Sequence, residues 1–240
     1  MLLFNKFKRS EVKWILQSGP QSILSNHYIP DGVFANVKKY DEEILKTKCP
    51  AVSSIHNRIF TVNSFLNVDV TFFVNEEGIP DYTYQFDRNH LPTEMVHDLI
   101  KKSVTTQFIG ETIDSGVQLQ MTAPYAFVTD DKDLEIVSIP PNLDMENCIY
   151  VPGSLKPYYW VRSLNPSFIL KDVNKPAKIK FSVDKPFMMY MFNKPINLEF
   201  TEQTDTIKAY ANSVWNIVNY RRRLEKFYMN VVKRRPRKLL

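Results

Sequence analysis

From residue 58 onward the chain alternates. Ile59-Phe60-Thr61-Val62, Val68–Val74 and Tyr82–Phe86 are rich in β-branched and aromatic residues, and Glu76-Glu77-Gly78-Ile79-Pro80 separates the second run from the third. Period-two runs bounded by turn residues predict half-buried strands. Met95, Val96, Leu99 and Ile100 fall on one helical face behind Pro92, so one short helix is expected over Pro92–Ser103. Strand patterning then resumes at Thr105–Ile109, Val117–Met121, Tyr125–Val128, Leu134–Ile139, Cys148–Val151, Tyr158–Arg162, Phe168–Leu170, Ala177–Val183, Phe187–Phe192 and Ile196–Phe200. The clearest is Ala177–Val183, where Ala177, Ile179, Phe181 and Val183 alternate with Lys178, Lys180 and Ser182.

Prolines 124, 140, 141, 152, 157, 166, 176, 186 and 195 fall between these runs. Proline cannot donate to a central ladder, so this punctuation fits many short strands with tight corners. The connections are too short for crossover helices, which argues against parallel βαβ units. The expected fold is mainly β: an antiparallel β-sandwich or jelly-roll-like body over 49–200, with a short inserted helix.

The flanks read differently. Residues 1–48 read as an N-terminal arm laid on the body, with a short helix over Glu11–Leu16 ended by Gly19-Pro20, a turn at Pro30-Asp31-Gly32 and a helical turn at Asp41–Lys46. Residues 201–240 read as a C-terminal helix with a basic tail. No Pro or Gly occurs from Glu202 to Val232, and Ile207, Ala211, Val214, Ile217 or Val218, Leu224, Tyr228 and Val231 fall near a 3.5-residue spacing that Arg221 interrupts. A long amphipathic helix is therefore expected, docked either on its own body or on another chain.

Charge divides the chain the same way. Residues 221–240 carry nine cations and one acid, or +8, so the formal +5 leaves −3 for the first 220 residues. The basic character belongs to the tail, and the body has no general reason to seek nucleic acid. Arg221, Arg222, Arg223, Lys226, Arg234, Arg235 and Arg237, with Trp215 on the same predicted helix, are the candidate interaction residues. Nine cations could also engage phosphates, but three consecutive helical arginines fan around the axis instead of forming one stripe.

Few catalytic families fit the composition. Six glycines stand against fifteen prolines, and no P-loop, dinucleotide fingerprint, metalloprotease helix or nucleophile elbow occurs. Cys49 and Cys148 are too far apart in sequence to suggest a zinc site or a disulfide framework and read as buried small residues or free thiols. His27, His56, His90 and His97 lack the spacing of a two-His-one-carboxylate iron site. Asp130, Asp131, Asp133 and Glu135 lack the glycine and ligand spacing of a calcium loop and read as a solvated hairpin turn. No cofactor is implied. The aromatic run Tyr158-Tyr159-Trp160-Val161-Arg162 is the one candidate pocket, with Tyr158, Trp160 and Arg162 able to stack on a base or a sugar. No apolar stretch reaches membrane-spanning length, and the first residues lack the apolar run of a signal peptide, so a cytosolic or virion-assembled protein without a membrane is expected.

Several stretches carry a resemblance. They are Lys48-Cys49-Pro50-Ala51 before Phe60-Thr61-Val62, Ile139-Pro140-Pro141, Val151-Pro152-Gly153-Ser154, Trp160-Val161-Arg162, Phe168-Ile169-Leu170, and Phe181 with Asp184-Lys185-Pro186-Phe187-Met188-Met189-Tyr190-Met191-Phe192. Over roughly residues 30–200 the chain resembles a family of proteins without an established activity that tailed bacteriophages encode, especially marine cyanophage-type myoviruses. The family pattern has a second Pro where this chain has Ala51, and Ser53–Arg58 replaces its acidic and Gly-Tyr positions. The resemblance implies a phage origin and carries over no catalytic residue.

Three functions are therefore expected in order. The first is a non-enzymatic phage protein acting through contacts, as a virion structural or assembly component in the particle or the infected host cytoplasm. Its partners would be other phage proteins or a second copy, engaged through the C-terminal helix. The second is a jelly-roll metal-dependent oxygenase. The third is nucleic-acid binding through the basic tail.

Overall fold

The computed structural model describes residues 9–16, 37–39, 55, 58–64, 66–86, 91–111, 115–162, 164–183, 185–202 and 204–215. The described strands are β1 (Ser10–Leu16), β2 (Val37–Lys39), β3 (Ile59–Asn63), β4 (Val68–Val74), β5 (Pro80–Gln85), β6 (Val104–Phe108), β7 (Val117–Met121), β8 (Tyr125–Val128), β9 (Ile136–Ile139), β10 (Asp144–Glu146), β11 (Cys148–Val151), β12 (Ser154–Leu155), β13 (Ser167–Leu170), β14 (Ala177–Phe181), β15 (Pro186–Phe192) and β16 (Ile196–Phe200). Helix α1 (Thr93–Ser103) lies between β5 and β6, and α2 (Asp205–Trp215) follows β16. Mainly β structure is therefore the observed class.

The strands form four sheets, ordered β16-β1-β8, β10-β14-β4-β5, β11-β13-β7-β6 and β12-β9-β15-β3-β2. Every pairing is antiparallel except β1 with β16. That parallel pair needs no crossover helix, because most of the chain separates its two strands.

One apolar core joins the sheets. Val70, Phe72, Ile179 and Phe181 from one sheet meet Leu119 and Phe168 from a second, and Phe187, Tyr190 and Phe192 from a third. Rings meet edge to face at the seams. Phe168 to Phe181 is 6.3 Å between centroids, Phe181 to Phe187 is 6.4 Å, and Phe127 to Tyr190 is 5.0 Å. Helix α1 buries Val96, Leu99 and Ile100, three residues of the predicted apolar face. Cys148 is buried as well, and burial pushes its thiol up to about 11, so it behaves as a small apolar residue.

Two expectations are corrected. Residues Glu11–Leu16 form strand β1, not a helix. Val12 and Trp14 point into the main core, whereas Ile15 joins Ala126, Val128, Val161, Ile207 and Tyr210 in a second cluster. A strand buried on both faces reads as an apolar run without alternation, so its periodicity was ambiguous. Tyr158–Arg162 is not a strand either. The amides of Tyr159 and Trp160 both donate to the Lys156 carbonyl, at 3.0 and 3.1 Å, closing a turn.

Helix α2 is described over eleven residues, about 16 Å at the usual rise. Ile207 and Tyr210 dock it on β1 and β8. The expected continuation to Val232, and the helical and turn assignments at Pro30–Gly32 and Asp41–Lys46, lie outside the described residues.

The acidic turn after β8 is an anchor between distant parts of the chain. Asp131 Oδ2 accepts from the Ser10 hydroxyl at 2.5 Å and pairs with the Lys194 ammonium at 2.5 Å, while Oδ1 accepts from the Asp133 amide at 3.0 Å. Partial burial pushes the carboxyl up, but Lys194, Ser10 and the Asp133 amide outweigh it and hold it below the usual range. A lowered carboxyl stabilises the fold above its unfolded value near about 3.9, and the contribution is lost as pH falls through the folded value. Asp131→Asn is therefore expected to cost about 1–2 kcal/mol at neutral pH. The gap to the native chain should shrink in acid, and urea unfolding at pH 7 and pH 3 checks it.

Asn147 marks the corner where the chain leaves β10, paired with β14, and enters β11, paired with β13. Its φ is +53°. Its Nδ2 donates to the carbonyls of Asp172 and Lys175 at 2.9 and 2.8 Å, and its Oδ1 accepts from the Asp172 amide at 3.1 Å. An asparagine serves here because it tolerates left-handed backbone and carries both a donor and an acceptor. Asn147→Ala is expected to lose about 2–3 kcal/mol, whereas Asn147→Gly keeps the backbone preference and should lose about 1 kcal/mol less. Equal losses in thermal unfolding would remove the backbone part of this account.

Candidate functional site

The candidate cleft is built on the outer face of the β11-β13-β7-β6 sheet. In β7, Val117, Leu119 and Met121 are buried, so Gln118 and Gln120 face outward. Register places Val151, Ser167, Gln120 and Thr105 in one cross-strand row and Ile149, Ile169, Gln118 and Gln107 in the next. The outer face is thus ruled by amides and hydroxyls on the β7 side.

Two segments wall this face into a cavity of about 270 Å³. One is the Val151-Pro152-Gly153-Ser154-Leu155 turn, and the other carries Trp160, Arg162, Leu164 and Asn165. The turn is held from beneath: the Gly153 amide donates to Ser138 Oγ at 2.8 Å, and Leu155 is buried. A side chain at Gly153 would come within 3.1 Å of Leu164 Cδ1, so glycine keeps the two walls close. On the other wall, the Tyr190 hydroxyl donates to the Leu164 carbonyl at 3.2 Å, and Asn165 Oδ1 accepts from the Ala123 amide at 3.2 Å.

Helix α2 supports the second wall from the far side. The Tyr210 hydroxyl donates to the Tyr159 carbonyl at 3.1 Å, and Val161 packs with Ile207 and Tyr210. Trp160 packs partly against the same cluster, and it and Arg162 both line the cleft. The Arg162 guanidinium sits over the Trp160 indole, 4.9 Å from the ring centroid. Such stacking fixes the plane of the cation.

Of the three pocket residues read from the sequence, Trp160 and Arg162 line the cleft together. Tyr158 does not. It packs edge to face on Tyr159 at 4.9 Å, within the turn that α2 braces. Trp215 lies in α2, and Arg221, Arg222, Arg223, Lys226, Arg234, Arg235 and Arg237 lie outside the described residues. Gln118, Gln120, Ser154, Asn165 and Ser167 were missed. Their signals were faint: the outward phase of β7, and a Pro-Gly-Ser turn beside an aromatic run.

Among the described residues, the lining carries one cation and no carboxylate, imidazole or thiol. Its chemistry is that of holding a ligand by hydrogen bonds, stacking and one fixed charge. A wider groove of about 520 Å³ lies at the end of β4 and β14, but there Asp69 stands opposite Lys180 in register and the two charges offset one another. His97 is held by the Tyr84 hydroxyl at 2.8 Å and packs on Phe86, while His27, His56 and His90 lie outside the described residues. Among the described residues no group of three His, Cys, Asp or Glu is placed to hold a metal, so the oxygenase reading gains no site there. No described helix is long and apolar enough to cross a membrane. No family model, curated protein or solved structure matches the chain.

Proposed function

We propose that this protein is a non-enzymatic component of a tailed-phage particle, or of a complex that assembles one, and that it works through contacts. The single observation behind this reading is the cleft lining. It joins an indole, a guanidinium, amides and hydroxyls on a braced scaffold, which suits recognition of a ligand. The shared aromatic core across three sheets supports reading the body as a layered sandwich of the jelly-roll kind. The phage setting rests on the sequence resemblance.

Mass spectrometry of purified particles of the phage carrying this gene is expected to find the chain in fixed stoichiometry, or light scattering to find it in a defined complex with other phage proteins or itself. A chain missing from particles and strictly monomeric beside the other phage proteins would overturn the reading.

The +8 of residues 221–240 supports one second reading, nucleic-acid binding by the tail. A gel shift with the full chain and with the chain ending at residue 220 separates the two. Salt-sensitive binding that disappears on truncation would favour the tail, and binding unchanged by truncation would reject it.

A further inference from the structure

We propose that the groove at the end of β4 and β14 binds a zwitterionic α-amino acid with an apolar side chain. The groove measures about 520 Å³ and shares no lining residue with the Trp160 cleft, so this site stands or falls apart from the assembly reading. Register builds its floor. Val68, Val70, Ile179 and Phe181 are buried, so Asp69 of β4 and Lys180 of β14 face outward between them. Lys180, Asp69 and Gln85 of β5 lie in one cross-strand row.

Side chains directly opposite on antiparallel strands have Cβ atoms about 5 Å apart, where a carboxylate and an ammonium are placed to bond to each other. Here they do not. Among the described residues, neither Asp69 nor Lys180 makes a side-chain hydrogen bond or an ion pair, and the Gln85 amide and Ser182 hydroxyl are equally uncommitted. Asp144 stands on the far side of Lys180 in the same row, but it does not line the groove. The frame around these groups is fixed by other bonds. The Val183 amide donates to Asn67 Oδ1 at 2.9 Å and ties the end of β14 to the start of β4. Phe86 stacks on Tyr84 at 6.3 Å and meets His97 edge to face at 4.9 Å, which holds its ring at the side of the groove. A fixed frame lowers the ordering cost of binding.

Two opposite charges side by side call for a ligand that carries the reverse pair. The ligand carboxylate goes to Lys180, with the Ser182 hydroxyl on the same chain segment as a second donor. The ligand ammonium goes to Asp69, with the Gln85 carbonyl across the β4–β5 ladder as a second acceptor. Because the two protein charges offset one another, a simple anion or a simple cation gains one partner and meets one repulsion. Charges borne on a single carbon suit the cross-strand spacing, whereas the ends of an extended dipeptide lie about 7 Å apart. Phe86 offers the apolar contact for the ligand side chain.

The test titrates the full chain with leucine and phenylalanine, the N-acetyl and amide forms of each, glycine and leucyl-leucine. NMR follows the Gln85 side-chain amide and the backbone amides of Asp69 and Ser182. At least one of leucine and phenylalanine is expected to saturate, with shifts confined to the groove. Its N-acetyl form lacks the cation and its amide form lacks the anion, and each should bind about fivefold or more weakly. Glycine should also bind more weakly, because it brings no side chain to Phe86.

Asp69→Asn is expected to bring the amino acid down to the level of its N-acetyl form, and Lys180→Gln to the level of its amide. Both positions are exposed, so each variant should keep native near-ultraviolet circular dichroism. Lys178→Gln, on the same face of β14 but outside the groove, should leave binding unchanged. Equal binding of the amino acid and its two singly charged forms overturns the zwitterion. Tighter binding of leucyl-leucine overturns the single amino acid, and glycine binding as well as the larger ligands overturns the apolar side chain. An equal loss in Lys178→Gln and Lys180→Gln overturns the site in favour of general charge attraction. No saturation by either amino acid overturns the whole proposal.

Discussion

Phe181→Ala is expected to lower the unfolding free energy by about 3–5 kcal/mol, the upper range for truncating a buried aromatic ring. Phe181 is the last residue of β14 and is 1% exposed. Its ring meets Phe168 of β13 at 74° and Phe187 of β15 at 80°. These three strands belong to three sheets, each held by its own backbone ladder. The neighbours of the missing ring therefore cannot collapse together without breaking registers, and most of the cavity persists. Urea unfolding measures the loss as a lowered midpoint with an unchanged slope. Ile149→Ala, at a side chain 48% exposed on the outer face, is the comparison and should lose about 1 kcal/mol or less. A similar loss for the two variants would mean that the sheets do not share a core at Phe181. If the alanine variant is too unstable to purify, Phe181→Leu should still unfold well below the native midpoint.

Trp14→Ala is the second large effect, again about 3–5 kcal/mol. Trp14 packs between Tyr125 of β8, at 6.0 Å, and Phe200 of β16, at 4.6 Å. It lies on the central strand of the sheet that joins the start of the described chain to its end, and Lys13 pairs with Glu199 across the same junction. Removing the indole should weaken the hold of both neighbouring strands. Hydrogen exchange distinguishes this from uniform destabilisation, because amides of β8 and β16 should lose protection before those of β15. Equal loss across all three strands would argue that β1 opens only with the whole fold. The cleft should suffer as well, since α2 rests on β1 and β8 through Ile207 and Tyr210 and braces the Trp160 wall.

How much could be read in advance depended on where each segment's instructions lie. Ala177–Phe181 and Val117–Met121 announced themselves because their burial follows strict alternation, with lysines outward in the first. Helix α1 was visible for the same reason at the other period, with Pro92 before its first turn. Strand β1 was misread because Val12, Trp14, Ile15 and Leu16 suit a helical face as well as a strand. The choice was made by ladders to β8 and β16, more than a hundred residues away. Tyr158–Arg162 failed in the opposite direction: its aromatic composition suits a strand, but no described strand pairs with it and the Lys156 carbonyl closes a turn instead.

The cleft divides along the same line. Trp160 and Arg162 stood out because an aromatic beside a cation is conspicuous in any context. Gln118 and Gln120 did not, because outward glutamines on a strand usually face only water. Composition and periodicity determined that this chain is mainly β, where most strands begin and end, and that its positive charge belongs to the last twenty residues. Those properties are local, set by side-chain volume, branching and charge over a few positions. Tertiary structure alone decided that β1 is a strand, that the acidic turn is an anchor, and that a docked helix turns the Trp160 segment over the glutamine face. Each of these depends on partners far apart in the chain, whose meeting is specified by the packing of the whole core and not by any window of sequence.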